Sequence, residues 1–133
     1  MQGRKGVVIG GGTMGTDIAA IFVANSFDVE VVEPDLAARA CLADNVGASA
    51  KAIEAGKEFG CVRVVEAIEN VDWSDAFLAI ECAFEDLALK QAVFAGLEQA
   101  APRALPLTSN SSGFPISKIA EGLATADRML GLH

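Results

Sequence analysis

Val7-Val8-Ile9-Gly10-Gly11-Gly12-Thr13-Met14-Gly15 decides how this chain folds. Gly6 to Gly10 is a short apolar run ending in glycine, and from Thr13 to Asn25 the residues Met14, Ile18, Ile21 and Phe22 recur at helical spacing. The segment therefore reads as strand, tight turn, helix. Gly10, Gly12 and Gly15 match G-x-G-x-x-G, a pattern that carries weight only between a strand and a helix, as here. Gly10 permits the turn, Gly12 leaves no Cβ between the backbone and a pyrophosphate, and Gly15 lets the helix approach the strand. The helix start at Thr13 and Met14 then offers free N–H groups to phosphate oxygens. The plainer alternative is a glycine-rich turn without a ligand, and the flanking elements count against it.

Working outward, Val29 to Glu33 is a second apolar strand, and Pro34-Asp35 opens an alanine-rich helix running to about Gly56. Glu33 stands 23 residues after Gly10, at a strand end where a carboxylate accepts hydrogen bonds from the adenine ribose hydroxyls. Its charge repels a 2′-phosphate, and Pro34-Asp35 offers no arginine to receive one, so NAD is expected over NADP. A solvated loop charge is the alternative at Glu33. Further strands are expected at Val62 to Val65, Phe77 to Cys82, Leu105 to Ser109 and Met129 to His133. Between them lie a polar connection at Asn70 to Asp75 and two helices. One spans 85–99, its apolar face made by Leu89, Val93, Phe94 and Leu97, and the other Ile116 to Leu123. Strands alternating with helices imply a mostly parallel sheet covered on both faces, a Rossmann-type, doubly wound α/β/α domain occupying residues 1–133.

With 133 residues, 52% of them hydrophobic, the chain can bury one core. Ten basic residues against eighteen acidic ones give a net charge of −8, which argues against nucleic acid or an anionic membrane as partner but selects no small-molecule substrate. Cys41, Cys61 and Cys82 share no spacing suited to a disulfide frame or a zinc site, so no metal is expected. No apolar run reaches membrane length, and Met1-Gln2-Gly3-Arg4-Lys5 leads straight into a strand, so a soluble, cytoplasmic protein is expected. His133 follows an apolar run directly, which reads as a piece of a longer chain.

Three blocks narrow the class: Ile80-Glu81-Cys82-Ala83-Phe84-Glu85-Asp86-Leu87 with Lys90, then Ser109-Asn110-Ser111-Ser112 with Pro115-Ile116, then Arg128 with Gly131-Leu132-His133. Together they resemble the N-terminal, NAD-binding domain of 3-hydroxyacyl-CoA dehydrogenases, over nearly the whole chain. The resemblance implies an oxidoreductase of fatty acid metabolism that acts on an acyl-CoA thioester or a related 3-hydroxy acid. It implies that Glu85 and Lys90 line the nicotinamide-ribose side, that Ser112 contacts both cofactor and the substrate's 3-oxygen, and that His133 is the general base. Histidine suits that role because it ordinarily changes protonation near neutral pH. The family also implies a helical C-terminal domain that supplies dimer contacts, substrate pocket and a glutamate orienting the histidine. Residues 1–133 alone are then expected to bind NAD but to turn over slowly or not at all.

Without the family, Ser112 fits a turn device, His133 a solvated chain end, Glu85 a charge at a helix start, and Lys90 an i,i+4 partner of Asp86. Cys82 reads as a small buried residue and not as a nucleophile. Two alternatives stand beside the family: a β-hydroxyacid dehydrogenase of the hydroxyisobutyrate or phosphogluconate type, and a non-catalytic NAD-binding domain. Three features depart from the family. Asp17 is expected to put a negative charge in the first turn of the helix facing the pyrophosphate. Asn25-Ser26 replaces a glycine, with Asn better suited to a left-handed helix exit. The segment from Asp35 to Val62 is shorter than the family's helical hairpin, which contacts CoA.

Overall fold

Lys5–Ile9, with β-branched Val7, Val8 and Ile9, forms β1 in a computed structural model that describes residues 4–53 and 58–133. The other strands are β2 (Asp28–Val32), β3 (Val62–Val65), β4 (Ala76–Glu81), β5 (Leu107–Ser109) and β6 (Met129–Gly131). They make one six-stranded sheet in the order β3-β2-β1-β4-β5-β6, and every pairing is parallel. The helices are α1 (Thr13–Ala24), α2 (Leu36–Ile53), α3 (Leu87–Ala100) and α4 (Ile116–Ile119). Chain order runs outward from β1 to β3, then returns to β4 beside β1, so the direction of winding reverses between β1 and β4. A crevice opens at such a reversal, outside the carboxyl ends of the strands.

Alternating strand residues feed two cores. Val8, Val29 and Val31 pack with Ala19, Ala20 and Val23 of α1 and with Leu42, Val46 and Ala50 of α2. Val7, Ile9, Val32 and Leu107 pack on the other face with Phe94 and Leu97 of α3 and Ile119 of α4. The expected three-layer doubly wound fold is what the chain adopts.

The buried faces of α1 and α3 match the apolar spacing only in part. In α1 the large residues Met14 and Ile21 are about half exposed, while Gly15, Ala19, Ala20, Val23 and Ala24 are buried. Small residues let α1 lie close to the sheet and to α2, and this proximity outweighs the burial of larger side chains. In α3 Phe94 and Leu97 are buried and Val93 packs against the core, as the apolar spacing implies, but Lys90 is buried with them and Leu89 is exposed. The connection after β3 is less polar than its sequence reads: Val71 is buried, Trp73 packs against the core, and Ile68–Asn70 forms a 3₁₀ turn.

Element ends moved for local reasons. Pro106 has no N–H to give a ladder, so β5 begins at Leu107. Gly122, at φ 81°, turns the chain after a four-residue α4, well short of Leu123. α3 starts at Leu87, capped by the Asp86 side chain accepting from Leu89 N–H, so Glu85 precedes the helix. The expected end of the second helix at Gly56 lies outside the described residues. At the exit of α1 it is Ser26, at φ 66°, that is left-handed; Asn25 instead donates its side-chain amide to the Ile21 carbonyl. Asp17 is the fifth residue of α1, and the first turn holds no acid, so the expected charge against the pyrophosphate is displaced by a turn. No helix of the described residues is long and apolar enough to cross a membrane.

Candidate functional site

The register aligns Val65, Val32, Ile9, Glu81, Ser109 and Gly131 in one row across the sheet. Five backbone hydrogen bonds carry the ladder one residue further: Glu33 N–H to Val65, Gly10 N–H to Val32, Cys82 N–H to Ile9, Asn110 N–H to Glu81 and Leu132 N–H to Ser109. Glu33, the glycine loop, the Cys82–Asp86 loop, the Asn110–Ser112 loop and His133 therefore leave the sheet along a single carboxyl edge. Four strand spacings separate β2 from β6, roughly 19 Å.

Each motif glycine has a distinct reason to be there. A Cβ on Gly15 would sit 1.8 Å from the Gly10 carbonyl oxygen, and one on Gly10, whose φ is 104°, would meet the Cys82 carbonyl at 2.9 Å. These two glycines bring α1 and β4 against β1. A Cβ on Gly12 would meet nothing within 4 Å, so the absent side chain keeps open a space at the α1 N-terminus. Gly12 is the helix N-cap and brings no side-chain acceptor to the first-turn N–H groups of Thr13, Met14 and Gly15. Thr13 and Met14 are exposed beside that space. An unfilled cradle under free amide donors fits a pyrophosphate.

Glu33 is half-buried, and its two carboxylate oxygens accept from Gly11 N–H at 3.1 Å and Asp35 N–H at 2.9 Å. The first bond ties the carboxylate to the glycine loop, and each oxygen keeps a lone pair for a hydroxyl donor. Arg39, which sequence reasoning did not single out, donates Nη1 to the carbonyls of Glu33 and Pro34. The first turn of α2 folds it back over the end of β2.

At the ends of β4 and β5 lies a buried ionic network centred on Glu81, which sequence reasoning did not single out. Glu81 and Lys90 are 0% and 1% exposed and bonded at 2.6 Å. The ammonium also reaches Glu85 Oε1 and the Ala83 carbonyl, both at 2.9 Å. Glu81 accepts in addition from the Ser109 hydroxyl and from Ala83 N–H, and Glu85 accepts from the Ser111 hydroxyl. Burial by itself pushes the Lys90 ammonium down, but the bonds and charges of Glu81 and Glu85 outweigh it and hold it above the ordinary lysine range. Glu85, half exposed, is held below the ordinary carboxylate range chiefly by its bond from Lys90. The three hydrogens of Lys90 are met by three acceptors, none of them Asp86. The i,i+4 pairing is thus replaced by an anchor between loops, and Lys90 does not line an open surface. A buried strand-end acid nine residues before a lysine was the readable signal.

Burial pushes the Cys82 thiol up to about 12, with the Glu81 charge adding to it, so Cys82 is no nucleophile. Ser112 and His133 are both exposed at the carboxyl edge, just beyond the ends of the neighbouring strands β5 and β6.

The sequence profile of the family described as 3-hydroxyacyl-CoA dehydrogenase, NAD binding domain, matches residues 5–133. The chain belongs to this family. Its cofactor is NAD, which the open cradle at Gly12 and the carboxylate of Glu33 fit. The 3-hydroxybutyryl-CoA dehydrogenase of Mycobacterium tuberculosis is 34% identical over 138 residues, covering 95% of this chain and 47% of the relative. The peroxisomal fatty acid beta-oxidation multifunctional protein MFP2 of Arabidopsis thaliana is 30% identical, over 98% of this chain and 19% of its own length. The crystal structure of M. tuberculosis FadB2 superposes with a TM-score of 0.82 at 29% identity, over 99% of this chain and 49% of that one. The chain thus spans about half of two of these dehydrogenase-family relatives and about a fifth of the multifunctional one. A match along 5–133 to this one family leaves the β-hydroxyacid and non-catalytic alternatives unfavoured.

Proposed function

We propose that the chain is the cofactor half of an enzyme that moves hydride between carbon 3 of a 3-hydroxyacyl-CoA thioester and NAD, giving the 3-keto product. One observation carries this reading: the order of groups along the carboxyl edge of the sheet. Glu33 stands over β2, the Gly12 cradle over β1, Glu85 over β4, Ser112 over β5 and His133 over β6. That is the order of adenine ribose, pyrophosphate, nicotinamide ribose and reacting carbon in a dinucleotide laid across a winding reversal.

In this reading Glu33 accepts from the ribose hydroxyls, and the first N–H groups of α1 hold the pyrophosphate at the positive end of the helix. Glu85 meets the nicotinamide ribose, and Lys90 positions it together with the Ala83 carbonyl. Ser112 donates to the substrate's 3-oxygen, and His133 removes the hydroxyl proton as a general base. Bound NAD supplies the hydride acceptor. The names of the relatives, 3-hydroxybutyryl-CoA dehydrogenase and fatty acid beta-oxidation protein, support an acyl-CoA thioester as substrate. Dimer contacts, much of the substrate pocket and a carboxylate orienting His133 belong in the portion of such enzymes that this chain does not span. A cytoplasmic setting is part of the same proposal. The test is NADH formation from NAD and 3-hydroxybutyryl-CoA by the whole protein that carries this chain. His133→Gln is expected to lower kcat by about 10²- to 10⁴-fold with little change in NAD affinity. An unchanged rate would overturn the assignment of the base.

A further inference from the structure

Cofactor choice at the adenine end is decided by an acid that accepts from the ribose hydroxyls for NAD or by a nearby arginine that receives the 2′-phosphate for NADP. Here the fold brings both to the same corner. Arg39 sits on the first turn of α2, half-buried, with Nη1 donating to Glu33 O at 2.9 Å and to Pro34 O at 2.7 Å. These bonds use both hydrogens of Nη1 and leave those on Nε and Nη2 without an acceptor among the described residues. The Glu33 carboxylate is fixed from the other side by Gly11 and Asp35 N–H. The Asp35 carboxylate is turned onto the α2 start, accepting from Ala38 N–H at 2.8 Å.

We propose that Arg39 is the second determinant of cofactor choice in this chain, a proposal that rests on the adenine ribose lying at Glu33. With Glu33 charged, the arginine braces the corner that presents its carboxylate to the ribose hydroxyls. With Glu33 neutral, the same guanidinium receives a 2′-phosphate, because its planar fork matches phosphate oxygens and its stem is already anchored by two carbonyls. Selection against NADP therefore rests on a single carboxylate set beside a ready-made phosphate receptor. Asp35, occupied as a helix cap, weakens that receptor without abolishing it.

The experiment is calorimetric titration of NAD and of NADP into the wild type, Arg39→Ala, Glu33→Ser and the double variant Glu33→Ser/Arg39→Ala, each checked by thermal melting without nucleotide. The wild type is expected to prefer NAD, and Arg39→Ala to weaken NAD about threefold with no gain for NADP. Glu33→Ser is expected to bind NADP about tenfold more tightly than the wild type does, and the double variant to lose that gain. Arg39→Lys on the Glu33→Ser background keeps the charge and stem without the fork, so its NADP affinity should fall between the two. Equal NADP affinity in Glu33→Ser and the double variant, with normal NAD binding by the wild type, would overturn the role of Arg39 alone. A wild type that binds neither nucleotide would overturn the ribose site and the role of Arg39 with it.

Discussion

A methyl group added at Gly12 would meet no atom within 4 Å, whereas one added at Gly15 would lie 1.8 Å from a backbone oxygen that cannot move aside. Gly12 has φ −73°, which any residue adopts, so Gly12→Ala places its methyl in the cradle without straining the chain. Gly12→Ala is expected to keep the wild-type melting temperature and lose NAD affinity, and Gly15→Ala to lose about 3 kcal/mol of stability or more. Parallel melts and NAD titrations of the two variants check this, and a Gly12→Ala protein that unfolds would contradict it. The glycines and Glu33 were legible because their spacing along the chain encodes their job. Arg39 was not, since the residues directly after Glu33 are Pro34 and Asp35. The arginine comes from a helical turn whose direction is set only once α2 is docked.

Glu81 on β4, Lys90 on α3 and the loops after β4 and β5 act as one unit. Glu81→Gln leaves the buried Lys90 ammonium with only a half-exposed carboxylate, and Lys90→Met leaves Glu81 without a cation. Each is expected to cost about 3 kcal/mol in urea unfolding, and the double variant less than the two together, because the charges that need each other then leave together. Strictly additive costs would show that the pair is not coupled. At this scale sequence was a partial guide. Strands β1, β2 and β3 were readable from their β-branched residues, whereas the buried faces of α1 and α3 were readable only in part. Periodicity marks large apolar residues, whereas the docked α1 buries small ones and α3 buries a lysine whose partners lie on two strands.

Over the whole molecule, protonation sets the range in which the fold is stable. Bonds from Ser74 bring Asp72 down to about 2, and bonds from Lys90 and Thr125 hold Glu85 and Glu98 below their ordinary range. Their folded values lie below the unfolded ones, so the unfolded chain takes up protons first as pH falls. Their contribution is present above pH 4.5 and is lost as pH drops toward 2. Cys82 has the opposite shift, from 9.0 to about 12, so its contribution is present below pH 9 and is lost on the way to 12. The urea midpoint should therefore be level from about pH 5 to 9 and fall on both sides, and a midpoint unchanged down to pH 3 would contradict the acid limb. The most direct test of the central claim, that NAD lies across the carboxyl edge with its pyrophosphate at Gly12 and its ribose at Glu33, is calorimetric titration of the wild type with NAD and NADP beside NAD into Gly12→Ala. One NAD site per wild-type chain, weaker binding of NADP and no NAD heat from a folded Gly12→Ala are expected. No NAD binding by the wild type, tighter NADP, or full NAD affinity in Gly12→Ala would contradict that claim.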